Sequence, residues 1–99
     1  DYPVFILTSA FVTSAAEFFS YTLKHLHKAV IVGEQTMGVA HWSQEINVND
    51  WLMMKLPVAI PVNPNTQSNW EGEGVIPDHE TDANSSFTLA YKLAKAPID

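Results

Sequence analysis

The sequence predicts an α/β fold that begins with a parallel strand–helix–strand unit and continues into a β-hairpin and a C-terminal helix. Two short apolar runs, at residues 4–8 and 29–33, have the length and composition of buried strands. A segment of helical periodicity separates them, and this order favours parallel pairing through a right-handed crossover. Hydrophobic residues make up 46% of the chain and charged residues 16%, which is typical of a globular protein.

The first strand and the helix that follows it are predicted from their apolar residues. Residues 4–7 are all apolar, as in a strand that is covered on both faces. The helix is predicted over residues 14–27. Ala16, Phe19, Leu23 and Leu26 recur at spacings of three and four, which predicts that they face the core.

The middle of the chain changes character after the second predicted strand. Residues 34–39 are predicted to form a loop, and residues 40–49 alternate between polar and apolar side chains, as in a half-exposed strand. Asn49 and Asp50 are typical of a hairpin turn, and residues 51–57 form the returning strand. Pro57 and Pro61 restrict residues 58–62 to an edge strand or an ordered loop.

The last third of the chain contains an unusual bend and a final helix. Residues 69–78 combine two glycines, a tryptophan and two glutamates, more than a plain connection needs. Asp82 or Ser85 is predicted to cap a helix that reaches Lys95. Its buried stripe is predicted to consist of Phe87, Ala90, Tyr91 and Ala94.

The charge and composition exclude several classes of function. The formal net charge of −6 argues against nucleic acid or an anionic membrane as the main partner. The absence of cysteine excludes disulfides and thiolate metal sites. No apolar run approaches the roughly 20 residues that span a bilayer. No phosphate-binding glycine loop or zinc motif is present, so we expect neither a cofactor nor a metal.

Ser14 is the candidate catalytic residue, and two interpretations of it stay open at this point. It lies just after the carboxyl end of a predicted strand, where open α/β folds place their chemistry. Glu17 follows three residues later, so Ser14 and Glu17 fit a capping box, and the serine then only caps the helix. Alternatively Ser14 is a nucleophile, with the backbone N–H of Ala15 available to an oxyanion. In that case Ser14 fills both roles at different times, or Thr13 takes over the capping.

Four blocks of sequence together resemble the C-terminal processing peptidases, also called tail-specific proteases. They are VFILTS at residues 4–9, TSAAE at 13–17, VIVGEQT at 30–36 and NWEGEGVIPD at 69–78. The closest branch is similar to the tricorn protease core and the interphotoreceptor retinoid-binding protein modules. The resemblance implies a ClpP/crotonase-like fold of ββα units, of which this chain is the C-terminal half. The chain is therefore expected to be a single fragment of a serine peptidase catalytic domain, an expectation that its unusual start at Asp1 also favours.

The resemblance also implies roles for individual residues. It places the nucleophile at Ser14 and part of the oxyanion hole at the N–H of Ala15. The processing-peptidase branch has a lysine base within a Gly-Lys-Gly run, but the matching run here is Gly-Val-Ala at residues 38–40. The tricorn-like branch instead uses an upstream histidine, oriented by a serine and by a glutamate. Glu71 matches that glutamate best and Glu73 is the second choice.

The sequence therefore predicts a serine endopeptidase, with a different class of function as the alternative. In the alternative, the same scaffold is a non-catalytic module that binds an apolar, retinoid-like ligand or a peptide. From the residues alone, Glu71 either orients a catalytic group or lies on the surface, and the surface is favoured. His41, after the loop, could approach a site, but a lone histidine is more often structural. Half of such a fold exposes a sheet edge, so we expect the isolated chain to form a homodimer or a swapped assembly. Many relatives are exported by bacteria, which suggests an extracytoplasmic location.

Overall fold

Three short parallel strands form the central sheet of the computed structural model, which describes residues 2–96. They are β1 (Phe5–Thr8), β2 (Val30–Gly33) and β5 (His79–Glu80), in the order β1–β2–β5. Helix α1 (Ser14–His25) connects β1 to β2, and helix α2 (Ser86–Ala94) contacts both of these strands. The parallel strand–helix–strand unit is confirmed. Strand β5 was not predicted, because two residues carry no periodic signal.

The predicted hairpin is confirmed as strands β3 (Trp42–Asn47) and β4 (Met53–Ala59), which pair antiparallel. Its turn is held by Asn49, whose Oδ1 accepts the backbone N–H groups of Trp51 at 2.8 Å and Leu52 at 2.9 Å. Pro57 lies within β4 beside an irregularity in the register, where a strand tolerates proline. The returning strand extends two residues beyond the predicted end because Pro57 does not interrupt it.

The hydrophobic core lies between the sheet, α1 and the loops that follow β2 and β4. It contains Tyr21, Ile31, Ala40, Trp70 and Val75. Strand β2 is buried, as expected for the central strand of the sheet. Strand β1 is only partly buried and its Leu7 is exposed, so the prediction that both of its faces are covered was wrong for this chain.

The buried face of α1 differs from the predicted one. Its buried residues are Glu17, Ser20 and Tyr21, whereas the predicted core residues Phe19 and Leu26 are 57% and 48% exposed. The helix is turned toward Glu17 because hydrogen bonds from distant parts of the chain satisfy that carboxylate. Apolar periodicity treats a glutamate as a surface residue and therefore predicted the wrong face.

The start of the last helix was predicted better than its buried stripe. The side chain of Asp82 accepts the N–H of Ser85 at 2.8 Å and caps a 3₁₀ turn that leads into α2. Ala90 is buried as predicted, but Phe87 is 67% exposed and Tyr91 is also exposed. These two rings stack on each other instead of entering the core.

His25 makes the stability of the fold depend on pH. Its ring lies 4.3 Å from the ring of Tyr21, and burial, followed by the charge of Lys24, lowers the pKa of His25 from its usual 6.5. The unfolded chain then binds this proton more readily than the folded chain. The contribution of neutral His25 to the free energy of unfolding should therefore be lost as the pH falls through 6.5. Thermal unfolding at pH 5.5 and 7.5 measures this difference.

The matched variants for this measurement are His25→Gln and His27→Asn. His25→Gln should lose part of the difference between the two melting temperatures. His27 is exposed and has a φ of 56°, a conformation that asparagine tolerates. Its charge contributes less to the lowered pKa of His25 than burial and Lys24 do, so His27→Asn should keep most of the wild-type difference. An unchanged pH dependence in His25→Gln would show that other groups cause it.

Candidate active site

Ser14 lies where the chain turns from β1 into α1, with its residue exposed. A turn over residues 9–12 precedes it, closed by the N–H of Val12 donating to the carbonyl of Ser9 at 3.1 Å. Ser14 has a φ of 52°, in the left-handed region that residues other than glycine rarely adopt. A serine with a strained backbone between a strand and a helix also occurs in the nucleophile elbow of α/β-hydrolases, where glycines occupy the positions of Val12 and Ala16. Such strain concentrates at functional sites.

The capping box predicted for Ser14 and Glu17 is only half formed. The N–H of Ser14 donates to Oε2 of Glu17 at 2.9 Å, which is the backward half of the box. The N-cap residue is Thr13 rather than Ser14, and its side chain makes no capping hydrogen bond. The interpretation of Ser14 as the N-cap was therefore wrong, and Ser14 is an exposed residue.

Glu17 is fully buried and its carboxylate accepts four hydrogen bonds. The first comes from the N–H of Ser14. Oε1 accepts the hydroxyl of Thr36 and the N–H of Gly38, both at 2.6 Å. Oε2 also accepts the N–H of Val39 at 2.9 Å. This one side chain therefore joins residues 9–14, which we call the serine turn, to residues 36–41, a segment that we call the strap.

Glu71 holds the next two residues of the same strap. Its Oε2 accepts the N–H groups of Ala40 at 2.6 Å and His41 at 3.1 Å. Glu17 and Glu71 together thus bind four successive backbone amides. Oε1 of Glu71 faces the ring of His41, whose Nδ1 lies 4.0 Å away, beyond hydrogen-bond distance.

The surroundings of Glu71 favour its ionised form. The backbone N–H of Ala40, followed by that of His41, lowers the pKa of Glu71 below its usual 4.5. Glu73 has a different environment, because its residue is exposed and its carbonyl, rather than its carboxylate, accepts a hydrogen bond from Gln35. Of the two glutamates considered, Glu71 is the one whose carboxylate is oriented by the backbone.

One of the two glycines of the bend, Gly74, allows the strap and the bend to approach each other closely. Gly74 has a φ of 84°, and a Cβ on it would lie 2.2 Å from the carbonyl oxygen of Thr36. The indole N–H of Trp70 donates to the carbonyl of Val39 at 2.9 Å, and the N–H of Gly74 to the carbonyl of Trp70 at 2.8 Å. The bend is thereby fixed against the strap, which places Glu71 beside it.

The structure therefore connects the predicted site residues indirectly. Ser14 and Ala15 lie together in the first turn of α1, and Glu71 reaches them through the strap and Glu17. Sequence analysis assigned Glu17 only to a capping box and missed its place in this network. Its spacing from Ser14 was visible, but its partners in the strap were not.

Val39 occupies the position where the resemblance placed a lysine base in one branch. Its backbone is bonded on both sides, to Glu17 through its N–H and to Trp70 through its carbonyl. Lys24, near the end of α1, is engaged elsewhere and forms an ion pair with Asp78 at 3.7 Å. The imidazole ring of His41 lies beside the carboxylate of Glu71.

One apolar cavity lies between α1 and the loop that follows the hairpin. It has a volume of about 160 Å³, and Phe18, Thr22, Val62 and Trp70 contribute to its wall. Sites for drug-sized ligands usually measure about 300–1,000 Å³. A larger open depression of about 810 Å³ is lined by the start of β1 and the end of α1, including charged Lys24, Lys28 and Asp78. The cavity thus has the size of a side chain rather than of a retinoid.

Metal sites and membrane spans were also sought within residues 2–96. No group of three or more histidine, aspartate or glutamate side chains in this range is placed to hold a metal ion. Neither α1 nor α2 has the length and hydropathy that crossing a membrane requires.

A comparison with known protein families gives one match that covers most of the chain. The sequence profile of peptidase family S41 matches residues 1–81. This range includes the serine turn, the strap and the bend that carries Glu71.

Comparison with solved structures gives matches among proteases. The photosystem II D1 C-terminal processing protease is 25% identical, with a TM-score of 0.69 over 82% of this chain and 21% of that chain. Mature CPAF complexed with lactacystin is 24% identical, with a TM-score of 0.74 over 94% of this chain and 20% of that chain. A further structure of mature CPAF is 23% identical, with a TM-score of 0.71 over 94% of this chain and 19% of that one. The likeness to CPAF shows the fold, and the chain spans about a fifth of the length of each.

Proposed function

This chain belongs to peptidase family S41, and from that premise we propose that it carries the nucleophile of a serine endopeptidase. Peptide bonds are cleaved through an acyl-enzyme on Ser14. The observation that supports this most is the geometry of Ser14, which is exposed and has a φ of 52° at a strand-to-helix turn. A serine that only caps a helix needs no such strain.

The proposed reaction has two steps at Ser14. A base removes the proton of Oγ as this oxygen attacks the substrate carbonyl, and the N–H of Ala15 stabilises the oxyanion that forms. The same base then gives its proton to the amine of the departing peptide, which leaves the acyl group on Ser14. Water, activated in the same way, releases the acid product and restores the hydroxyl.

The base is proposed to be a histidine upstream of this chain, since Val39 stands where the other branch has a lysine. We propose that Glu71 orients this histidine through an intervening serine. The state of Glu71 supports this role, because its Oε2 is held by two amides while Oε1, which lies 4.0 Å from Nδ1 of His41, accepts neither of them. Glu73 is the less favoured choice because its carboxylate is not held in this way.

The chain is further proposed to be the C-terminal portion of a longer catalytic domain. Its coverage of about a fifth of its solved relatives agrees with this. An isolated chain without the histidine then has a nucleophile and part of an oxyanion hole but no base. Loss of a triad member costs on the order of 10⁴–10⁶ in rate, so the isolated chain should be inactive.

The alternative of an apolar-ligand module is supported less well. The apolar cavity of about 160 Å³ lies below the usual range for such ligands, which is about 300–1,000 Å³. The depression of about 810 Å³ has the required volume, but it is open and its lining includes the charged side chains of Lys24, Lys28 and Asp78, which do not suit an apolar ligand. A binding module also gives no reason for an exposed serine in the left-handed region. We therefore favour the enzyme.

A fluorophosphonate probe tests the proposal, because it reacts with activated serines. We expect the longer polypeptide to be labelled, with the adduct mapped to Ser14 by peptide mass spectrometry. The isolated chain should be labelled at least about 1,000-fold more slowly, since the base activates the hydroxyl. Circular dichroism should show that both proteins are folded.

Two results would contradict the proposal in different ways. A folded longer polypeptide that stays unlabelled would favour the binding module. Equal labelling of the isolated chain would show that the base lies within this chain, and His41, which lies beside Glu71, would then be the residue to replace first.

A further inference from the structure

We infer that Glu17 is a positioning residue for the nucleophile, an inference that rests on the proposed function. Through the N–H of Ser14 its carboxylate holds the nucleophile in the conformation with a φ of 52°, while its other hydrogen bonds fix that carboxylate to the strap. Glu17 therefore sets the position of Oγ without touching the substrate.

The argument begins with the burial of Glu17. A fully buried carboxylate is costly unless hydrogen bonds compensate it, and Glu17 has four. An apolar side chain at this position would fill the same space without that requirement. The burial of a carboxylate at this point therefore indicates a role beyond packing.

The second step is the direction in which the hydrogen bonds act. Three donors, from Thr36, Gly38 and Val39, lie in the strap and fix the carboxylate. The fourth is the amide of Ser14, so the position of the strap determines where the serine turn is held. Glu71 binds the next two amides of the strap. Ser14, through Glu17, and Glu71 are therefore both attached to the strap.

The third step is the expected size of the effect. A displacement of a reacting group by about 1 Å can cost roughly 100-fold in rate. Glu17→Gln keeps the shape of the side chain but offers only one acceptor oxygen, so its NH₂ group must face two of the four donors. The Ser14 amide is then held less firmly, which should lower kcat more than it raises KM.

The test uses the longer polypeptide with Glu17→Gln and a matched control, Asp78→Asn. Asp78 also accepts a sheet amide, that of Ile31 at 2.7 Å, but it lies at the other end of β2 from the serine turn. We expect Glu17→Gln to reduce the fluorophosphonate labelling rate and kcat by about 100-fold, with KM changed by less than about threefold. Asp78→Asn should keep the labelling rate and kcat within about threefold of wild type, even if its melting temperature falls as much as that of Glu17→Gln.

The outcomes separate this inference from the proposed function. Wild type that is labelled at Ser14, with Glu17→Gln losing no more activity than Asp78→Asn, overturns the inference and leaves the function standing. Wild type that is not labelled overturns both. If Glu17→Gln does not fold, Thr36→Val replaces it, because this change removes one of the donors that fix the carboxylate. The Thr36 hydroxyl also accepts the N–H of Val75 at 2.6 Å, so the melting temperature of this variant is compared with that of Asp78→Asn. A folded Thr36→Val variant should lose about tenfold in labelling, and a wild-type rate would contradict the inference.

Discussion

Ser14→Gly is expected to abolish peptide hydrolysis by the longer polypeptide and, at the same time, to stabilise its fold. Hydrolysis should fall by about 10⁴–10⁶-fold, because no other group replaces the attacking oxygen. The fold should gain stability because glycine adopts a φ of 52° without the steric cost that a β-carbon carries there. A change that removes function and strain together is the expected signature of a residue kept for chemistry.

Ser14→Ala separates the two effects. Alanine also lacks the hydroxyl, so hydrolysis should be lost equally, but its β-carbon keeps the strain. We expect the glycine variant to exceed the alanine variant by about 1 kcal/mol in the free energy of unfolding, measured in urea. Ser43→Ala, at an exposed serine of the hairpin strand β3, is the activity control and should retain most hydrolysis. Hydrolysis at the wild-type rate in both Ser14 variants would exclude Ser14 as the nucleophile.

Local patterns predicted the elements of the fold but not the faces that they bury. The strand–helix–strand unit and the hairpin depend on periodicity and turn residues that lie close together in sequence, and both are confirmed. The face of α1 was predicted wrongly because it is set by Glu17, whose acceptor atoms find their donors in Thr36, Gly38 and Val39. Hydropathy contains no information about such distant partners.

The site divides in the same way between what sequence predicts and what it does not. The position of Ser14 after β1 follows from a strand, a short turn and a helix start. Its left-handed backbone does not, because turn residues alone do not predict a positive φ at a serine. The bend at residues 69–78 was recognised as unusual, but the reason for Gly74 is a carbonyl of Thr36 that lies far away in sequence. The role of Glu71 stays a prediction.

Glu71→Gln is the variant that tests this role, and it should nearly abolish hydrolysis without unfolding the protein. The glutamine oxygen can still accept the amides of Ala40 and His41, so the strap should keep its position and the melting temperature should change little. The NH₂ group then occupies the place of Oε1 and cannot accept a hydrogen bond from the group that orients the base. In a serine protease, changing the aspartate that is bonded directly to the base into asparagine lowers kcat by about 10⁴. Because Glu71 is proposed to act through a serine, about 10⁴ is the upper bound of the loss expected here.

The control for this variant is Glu73→Gln, which replaces the exposed second choice in the same bend and should keep hydrolysis close to wild type. The pH dependence gives a further test, because the pKa of Glu71 is lowered from its usual 4.5 by the two backbone amides. Glu71 therefore stays ionised as the pH falls from 8 to 6, where a histidine base gains its proton. The pH dependence of wild-type hydrolysis between pH 6 and pH 8 should accordingly follow the base and not Glu71. If Glu73→Gln lost activity and Glu71→Gln kept it, Glu73 would take the orienting role and the amides held by Glu71 would serve the fold alone.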